Sequence, residues 1–125
     1  MKILWFAIAG ASGTLARYWF GGLVQRYMGT GFPWGTFAVN MAGCFLFGLI
    51  WSLAEERLVI SGQMRAVLLI GFMGAFTTFS SFVFETGALL RDSQFLMAFG
   101  NVLLQNIFGM IFLFLGFTAS RLLSF

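Results

Sequence analysis

Histidine is absent from these 125 residues, cysteine and proline occur once each, and only 9% of the residues carry a charge. Each scarcity excludes something. Without histidine there is no imidazole base and no HExxH pair, and Cys44 alone cannot assemble a zinc site. No Walker loop or dinucleotide fingerprint takes their place, so an enzyme is not expected. One cysteine also rules out an intrachain disulfide. A soluble domain carries about 25% charged residues, so water is the wrong solvent for most of this surface.

What is abundant points the same way, since 60% of the residues are hydrophobic and 18 are phenylalanine. A bilayer core about 30 Å thick needs roughly 20 apolar helical residues per crossing. Four crossings use about 80 residues on that scale and leave short connections, with no room for a separate soluble domain. The expected fold class is an all-α integral membrane protein: one domain over residues 1–125, with four transmembrane helices at about 2–28, 34–54, 63–90 and 94–122. Met1-Lys2 and the apolar run that follows resemble a signal peptide. The pattern resumes past Arg17 through Tyr18, Trp19, Phe20 and Leu23, which reads better as one retained helix. Gly29-Thr30-Gly31-Phe32-Pro33 forms a turn, with the proline where a new helix begins. Gly10 with Gly13, Ala38 with Ala42, and Gly109 with Gly116 mark faces where helix backbones approach closely in lipid.

The net charge of +3 is spread singly along the chain, with no cluster to track a phosphate backbone, so nucleic acid is not an expected partner. Membrane lipid is. Lys2, Arg57, Arg65 and Arg121 fall on one side of a four-helix topology, and Arg26 and Arg91, with Arg17, on the other. That bias is too weak to fix an orientation. Insertion both ways up, which permits an antiparallel dimer, and a single resolved orientation both stay open.

The third helix holds the unusual stretch. Gly71 to Glu85 contains two glycines, four hydroxyl residues and a carboxylate inside a hydrophobic segment. That composition suits a locally broken helix, whose freed carbonyls must be buried in protein or bind something; turned inward, they are hard ligands for a cation. A continuous helix with back-bonded Ser and Thr is the alternative. Phe79 and Phe82, three apart, share a face, and their electropositive ring edges suit an anion path. With 18 phenylalanines in the chain, lipid contact or packing is the commoner use of any one of them. Asn40, four residues after Thr36, offers either an anion donor or an interhelical hydrogen bond. Arg17 is costly at membrane depth and marks a vestibule or a snorkelling side chain. Glu85 reads as a gate, a partner for Arg17, or a snorkelling acid.

Gly74-Ala75-Phe76-Thr77-Thr78-Phe79-Ser80-Ser81-Phe82 with Glu85 resembles the helix 3 signature of the Fluc (CrcB-type) fluoride channels, G-G-x-T-T-F-S-T-F-x-x-E. Pro33 to Asn40 is similar to that family's P-x-G-T-x-x-V-N, and Gly10, Gly13 and Arg17 to its G-x-x-G-x-x-x-R. The resemblance implies an antiparallel dual-topology homodimer in the bacterial inner membrane, exporting fluoride passively through two pores. It further implies a central structural sodium ion held by the Gly74 and Thr77 carbonyls, with pores lined by Phe79 and Phe82. Asn40 would donate to fluoride, Thr36, Ser80 and Ser81 would form a polar track, and Arg17 a vestibule cation. Ala75 and Ser81 depart mildly from the pattern; Asn101 and Gln105 stand where the family commonly has Tyr and Ser. The alternative is a small dual-topology multidrug or cation exporter, which resembles a mechanism needing an acid in helix 1, where this chain has Arg17.

Overall fold

A computed structural model describes residues 1–56 and 60–123. Arg57, one of the charges weighed for topology, lies outside the described residues. Among these residues every regular element is helical. Helix α1 (Lys2–Met28) ends at Gly29, whose φ of 95° suits glycine and whose N–H closes onto the Gln25 carbonyl. The Gln25 side chain then fastens the turn. Its Nε2 donates to the Phe32 carbonyl at 3.0 Å and to that of Gly29, while its Oε1 accepts from the Gly35 N–H at 2.9 Å. One otherwise orphaned donor in the first turn of α2 (Trp34–Glu55) is thereby satisfied.

Ser61 caps α3 (Gly62–Ala66) by accepting from the Met64 N–H. The helix continues as a π-helical stretch, Val67–Met73, and then as a single α turn, α4 (Gly74–Phe76). Thr77 (φ −85°, ψ 157°) and Thr78 (φ −148°, ψ 112°) are extended, and α5 (Phe79–Arg91) begins after them. The chain turns at Ser93, in the left-handed region at φ 59°. Gln94 N–H bonds the Leu89 carbonyl and Ser93 N–H that of Leu90, the pattern of a Schellman cap. Helix α6 (Phe95–Leu122) follows.

Helices α2 and α6 pack most closely. A β-carbon at Gly48 would run into the Leu113 carbonyl, and one at Gly116 into the Phe45 carbonyl and the Leu49 N–H. At Gly13 it would overlap the Phe72 carbonyl, which brings α1 against the π stretch. The buried core is Val39, Leu69, Met73 and Phe76, flanked by Phe20 and Phe72; the Phe72 and Phe76 rings stack at 5.8 Å. At one end, Arg65 lies over the Trp51 ring and pairs with Glu55 at 2.6 Å, joining α2 to α3.

Trp34–Glu55, Gly62–Arg91 and Phe95–Leu122 are long and apolar enough to cross a membrane. Helix α1 has the length, about 40 Å at 1.5 Å per residue, but less apolarity. Much of the apolar surface faces outward, as at Leu15, Trp19, Ile70, Phe84 and Leu96. A water-soluble monomer does not expose apolar area on this scale. The chain is a multi-pass membrane protein.

Candidate functional site

The break between α4 and α5 is written in hydroxyl and amide chemistry. Thr77 turns back on the last turn, its N–H and Oγ1 both donating to the Met73 carbonyl at 3.0 and 2.8 Å. Thr78 accepts from the Ser81 N–H at 3.2 Å, as an N-cap side chain does. Asn40, on α2, grips the backbone of Thr78 from both sides. Its Oδ1 accepts the Thr78 N–H at 2.9 Å and its Nδ2 donates to the Thr78 carbonyl at 3.1 Å.

This has a consequence for two carbonyls. An uninterrupted α-helix would give the Thr78 N–H to Gly74 and the Ser81 N–H to Thr77. Both donors are engaged elsewhere, so the Gly74 and Thr77 oxygens lose their helical partners. An unpaired carbonyl away from water costs free energy unless something meets it, and such oxygens suit a hard cation. Among the described residues no cluster of His, Cys, Asp or Glu offers a side-chain metal site.

Asn40 also donates to Gln105 Oε1 at 3.2 Å, so both its amide protons are engaged between helices. From there the bonds continue through α6. Gln105 Nε2 donates to Asn101 Oδ1 at 3.5 Å, Asn101 Nδ2 to Thr86 Oγ1 at 2.9 Å, and Thr86 Oγ1 to the Phe82 carbonyl at 2.8 Å. Asn101 is fully buried and Gln105 nearly so.

Two rings stand at the head of α5. Phe79 is 76% exposed, Phe82 is half-buried, and their centroids are 5.8 Å apart at a tilt of 57°. Ser80 is exposed on the same turn. Beside the break a cleft of about 490 Å³ brings together Arg17, Thr36, Thr78, Ser81 and Glu85, with Gln25 and Arg26 at its wall. Phe79, Phe82, Ser80, Asn40, Gly74 and Thr77 do not line it. Thr36 Oγ1 donates to Glu85 Oε2 at 3.0 Å. Arg17 Nε and Glu85 Oε1 are buried and have no hydrogen-bond partner among the described residues. Of the three roles open to Glu85, pairing with Arg17 is not what the structure contains: the carboxylate is bound by Thr36 instead. The cleft thus presents the Arg17 guanidinium and the Ser81 hydroxyl together with the Glu85 carboxylate, and the break beyond it presents ring edges and carbonyls without helical partners.

Sequence reasoning overlooked Thr86 and Gln25. The signal available for Thr86 was its place one helical turn after Phe82; for Gln25 it was an amide one turn before a Gly-rich turn.

Over residues 4–117 the chain matches the family described as CrcB-like protein, Camphor Resistance (CrcB). The chain belongs to the CrcB-like family. Among its relatives, proteins named fluoride-specific ion channel FluC from Nitrosococcus oceani, Solidesulfovibrio magneticus and Desulforapulum autotrophicum are 57%, 53% and 48% identical to it. Each alignment covers 98% of this chain and 98% of the relative. The CrcB-like match spans the break, the cleft and every residue of the amide chain. The names of these relatives describe ion channels.

Proposed function

We propose that this chain is a fluoride-selective channel that lets fluoride leave the cell passively, working as an antiparallel homodimer with two pores. The observation that carries the reading is an extended break with a tilted Phe79–Phe82 ring pair at the head of α5, next to a cleft where Arg17 Nε has no hydrogen-bond partner among the described residues. The names of relatives at 57% and 53% identity supply the ion.

Fluoride is small and strongly hydrated, and an isolated ion in a low-dielectric medium costs tens of kcal/mol. A pathway must therefore replace its water piecemeal with donors that do not hold it. In this reading Arg17 draws the anion into the cleft, Ser81 offers a hydroxyl proton, Thr36 lines the track with its own proton held by Glu85, and Asn40 stands at the break. The positive edges of Phe79 and Phe82, with Ser80 beside them, carry the ion onward.

The number of available ligands supports a second copy. One chain supplies only the Gly74 and Thr77 carbonyls, too few for a hard cation, and two antiparallel copies double the set. These neutral oxygens, stripped of helical donors, fit a structural sodium ion. When bound, it supplies a fixed positive charge that biases the field toward anions. All four helices, α1 included, cross the bilayer as one domain in a bacterial inner membrane, with the break near mid-depth. The outward apolar side chains of α5, Val83 and Phe84, face the partner or lipid.

The test is efflux from liposomes of the purified protein loaded with fluoride or chloride. Fast fluoride release with chloride retained is expected. Equal release of both anions, or release of neither, overturns the channel reading.

A further inference from the structure

We propose that Gln105 and Asn101 are positioning residues for the cation site at the break, holding Asn40 in the one orientation that keeps the Thr78 N–H off the Gly74 carbonyl. The proposal rests on the cation reading above and assigns these two amides a role toward it.

The two faces of an amide side chain, oxygen and NH2, have nearly the same shape, so its orientation is set by its partners. Here both ends of the chain of bonds are backbone groups with fixed roles. The Phe82 carbonyl can only accept, so Thr86 Oγ1 donates to it and uses a lone pair to accept from Asn101 Nδ2. Asn101 Oδ1 is then turned toward Gln105 Nε2, and Gln105 Oε1 toward Asn40 Nδ2. That leaves Asn40 Oδ1 for the Thr78 N–H, which can only donate. Along this path the donors point one way from the Thr78 N–H to the Phe82 carbonyl, and one Asn40 N–H alone turns back, onto the Thr78 carbonyl.

A flipped Asn40 would set NH2 against the Thr78 N–H and oxygen against both the Thr78 carbonyl and Gln105 Oε1. The relay excludes that state, and Asn101, with no exposed surface, has no water to replace a lost partner. Without Gln105 the Asn40 carboxamide is held by the Thr78 backbone alone, and that grip is weakened. The Thr78 N–H is then free to rejoin the Gly74 carbonyl as a helix would have it, and one cation ligand is withdrawn.

The experiment uses the full-length protein in detergent micelles, with NaCl exchanged for N-methylglucamine chloride at fixed ionic strength. The unfolding midpoint against sodium concentration gives an apparent affinity, and hydrogen exchange at the Thr78 amide reports its partner. Gln105→Met removes both bonds at nearly unchanged length. It should raise the half-saturating sodium concentration about tenfold, the scale of one net amide hydrogen bond, and change Thr78 exchange. Gln105→Glu keeps the oxygen that holds Asn40 and should restore affinity to within about threefold. A folded Gln105→Met protein with wild-type half-saturation overturns the proposal. If that variant does not fold, Asn101→Ser, which cuts the far end of the relay, is decisive in its place: an unchanged half-saturation overturns the proposal equally. A wild-type midpoint insensitive to sodium overturns it together with the cation reading, while fluoride efflux from liposomes stands or falls separately.

Discussion

Phe79 and Phe82 make the most direct claim of any side chains here, because a ring edge is an unusual place to put an anion. Phe79→Ile and Phe82→Ile keep bulk and lose the ring. Each should slow fluoride efflux by about tenfold or more, or roughly 1.4 kcal/mol at the barrier, with the protein still folded by gel filtration. Full efflux in both returns the rings to packing. Arg17→Met should weaken efflux most at low ionic strength, by about three- to tenfold, since a collecting charge acts through the field. Equal losses at low and high salt would assign Arg17 to structure. Arg17 was legible because a charge in an apolar helix calls for a reason, Thr36 and Ser81 became candidates through the family resemblance, and the cleft brings the three together. The partners were less legible. Thr36 binding Glu85 spans 49 positions and Asn40 binding Thr78 spans 38, and no local spacing rule reaches that far. Arg17 and Glu85 attract one another on paper, yet Thr36 holds the acid in the fold.

At the scale of elements, the break depends on a cap. Thr78→Ala removes the oxygen that accepts the Ser81 N–H and should destabilise α5 by about 1 kcal/mol, read as a lowered unfolding midpoint in detergent. No change would mean that the Asn40 grip alone keeps the helix interrupted. The α2–α6 contact makes a sharper demand. Gly116→Ala places a methyl group against the Phe45 carbonyl and the Leu49 N–H, both backbone, and should cost about 1–3 kcal/mol as overpacking does. Gly100→Ala, where nothing lies within reach of a β-carbon, is the control and should leave the midpoint in place. The close approach at Gly116 was legible from small-residue spacing. The π stretch was not: Val67-Leu68-Leu69-Ile70-Gly71-Phe72-Met73 reads like any apolar helix, and nothing in those side chains marks a hydrogen bond reaching one residue further.

For the molecule as a whole, composition already gave an all-helical chain at home in lipid, and three of its helical stretches have the apolarity to span. Helix α1 carries Arg17, Gln25 and Arg26 along the cleft instead, which is why its hydropathy lags its length. Orientation rests on so few charges that labelling is the right test. In a Cys44→Ala background, Gly31→Cys should react with a membrane-impermeant maleimide from either side, in about half the molecules each, since neither face carries a decisive positive excess. Labelling from one side alone would exclude the antiparallel dimer. The π stretch has a meaning for the lineage of such chains as well. Because its bonds already run one residue long, the stretch can lose a residue by reverting to an ordinary turn, without sliding the Thr77–Thr78 break along the bilayer normal. Insertions and deletions between related sequences should therefore be tolerated there, and removal of Ile70, which is 68% exposed, should leave a protein that still folds.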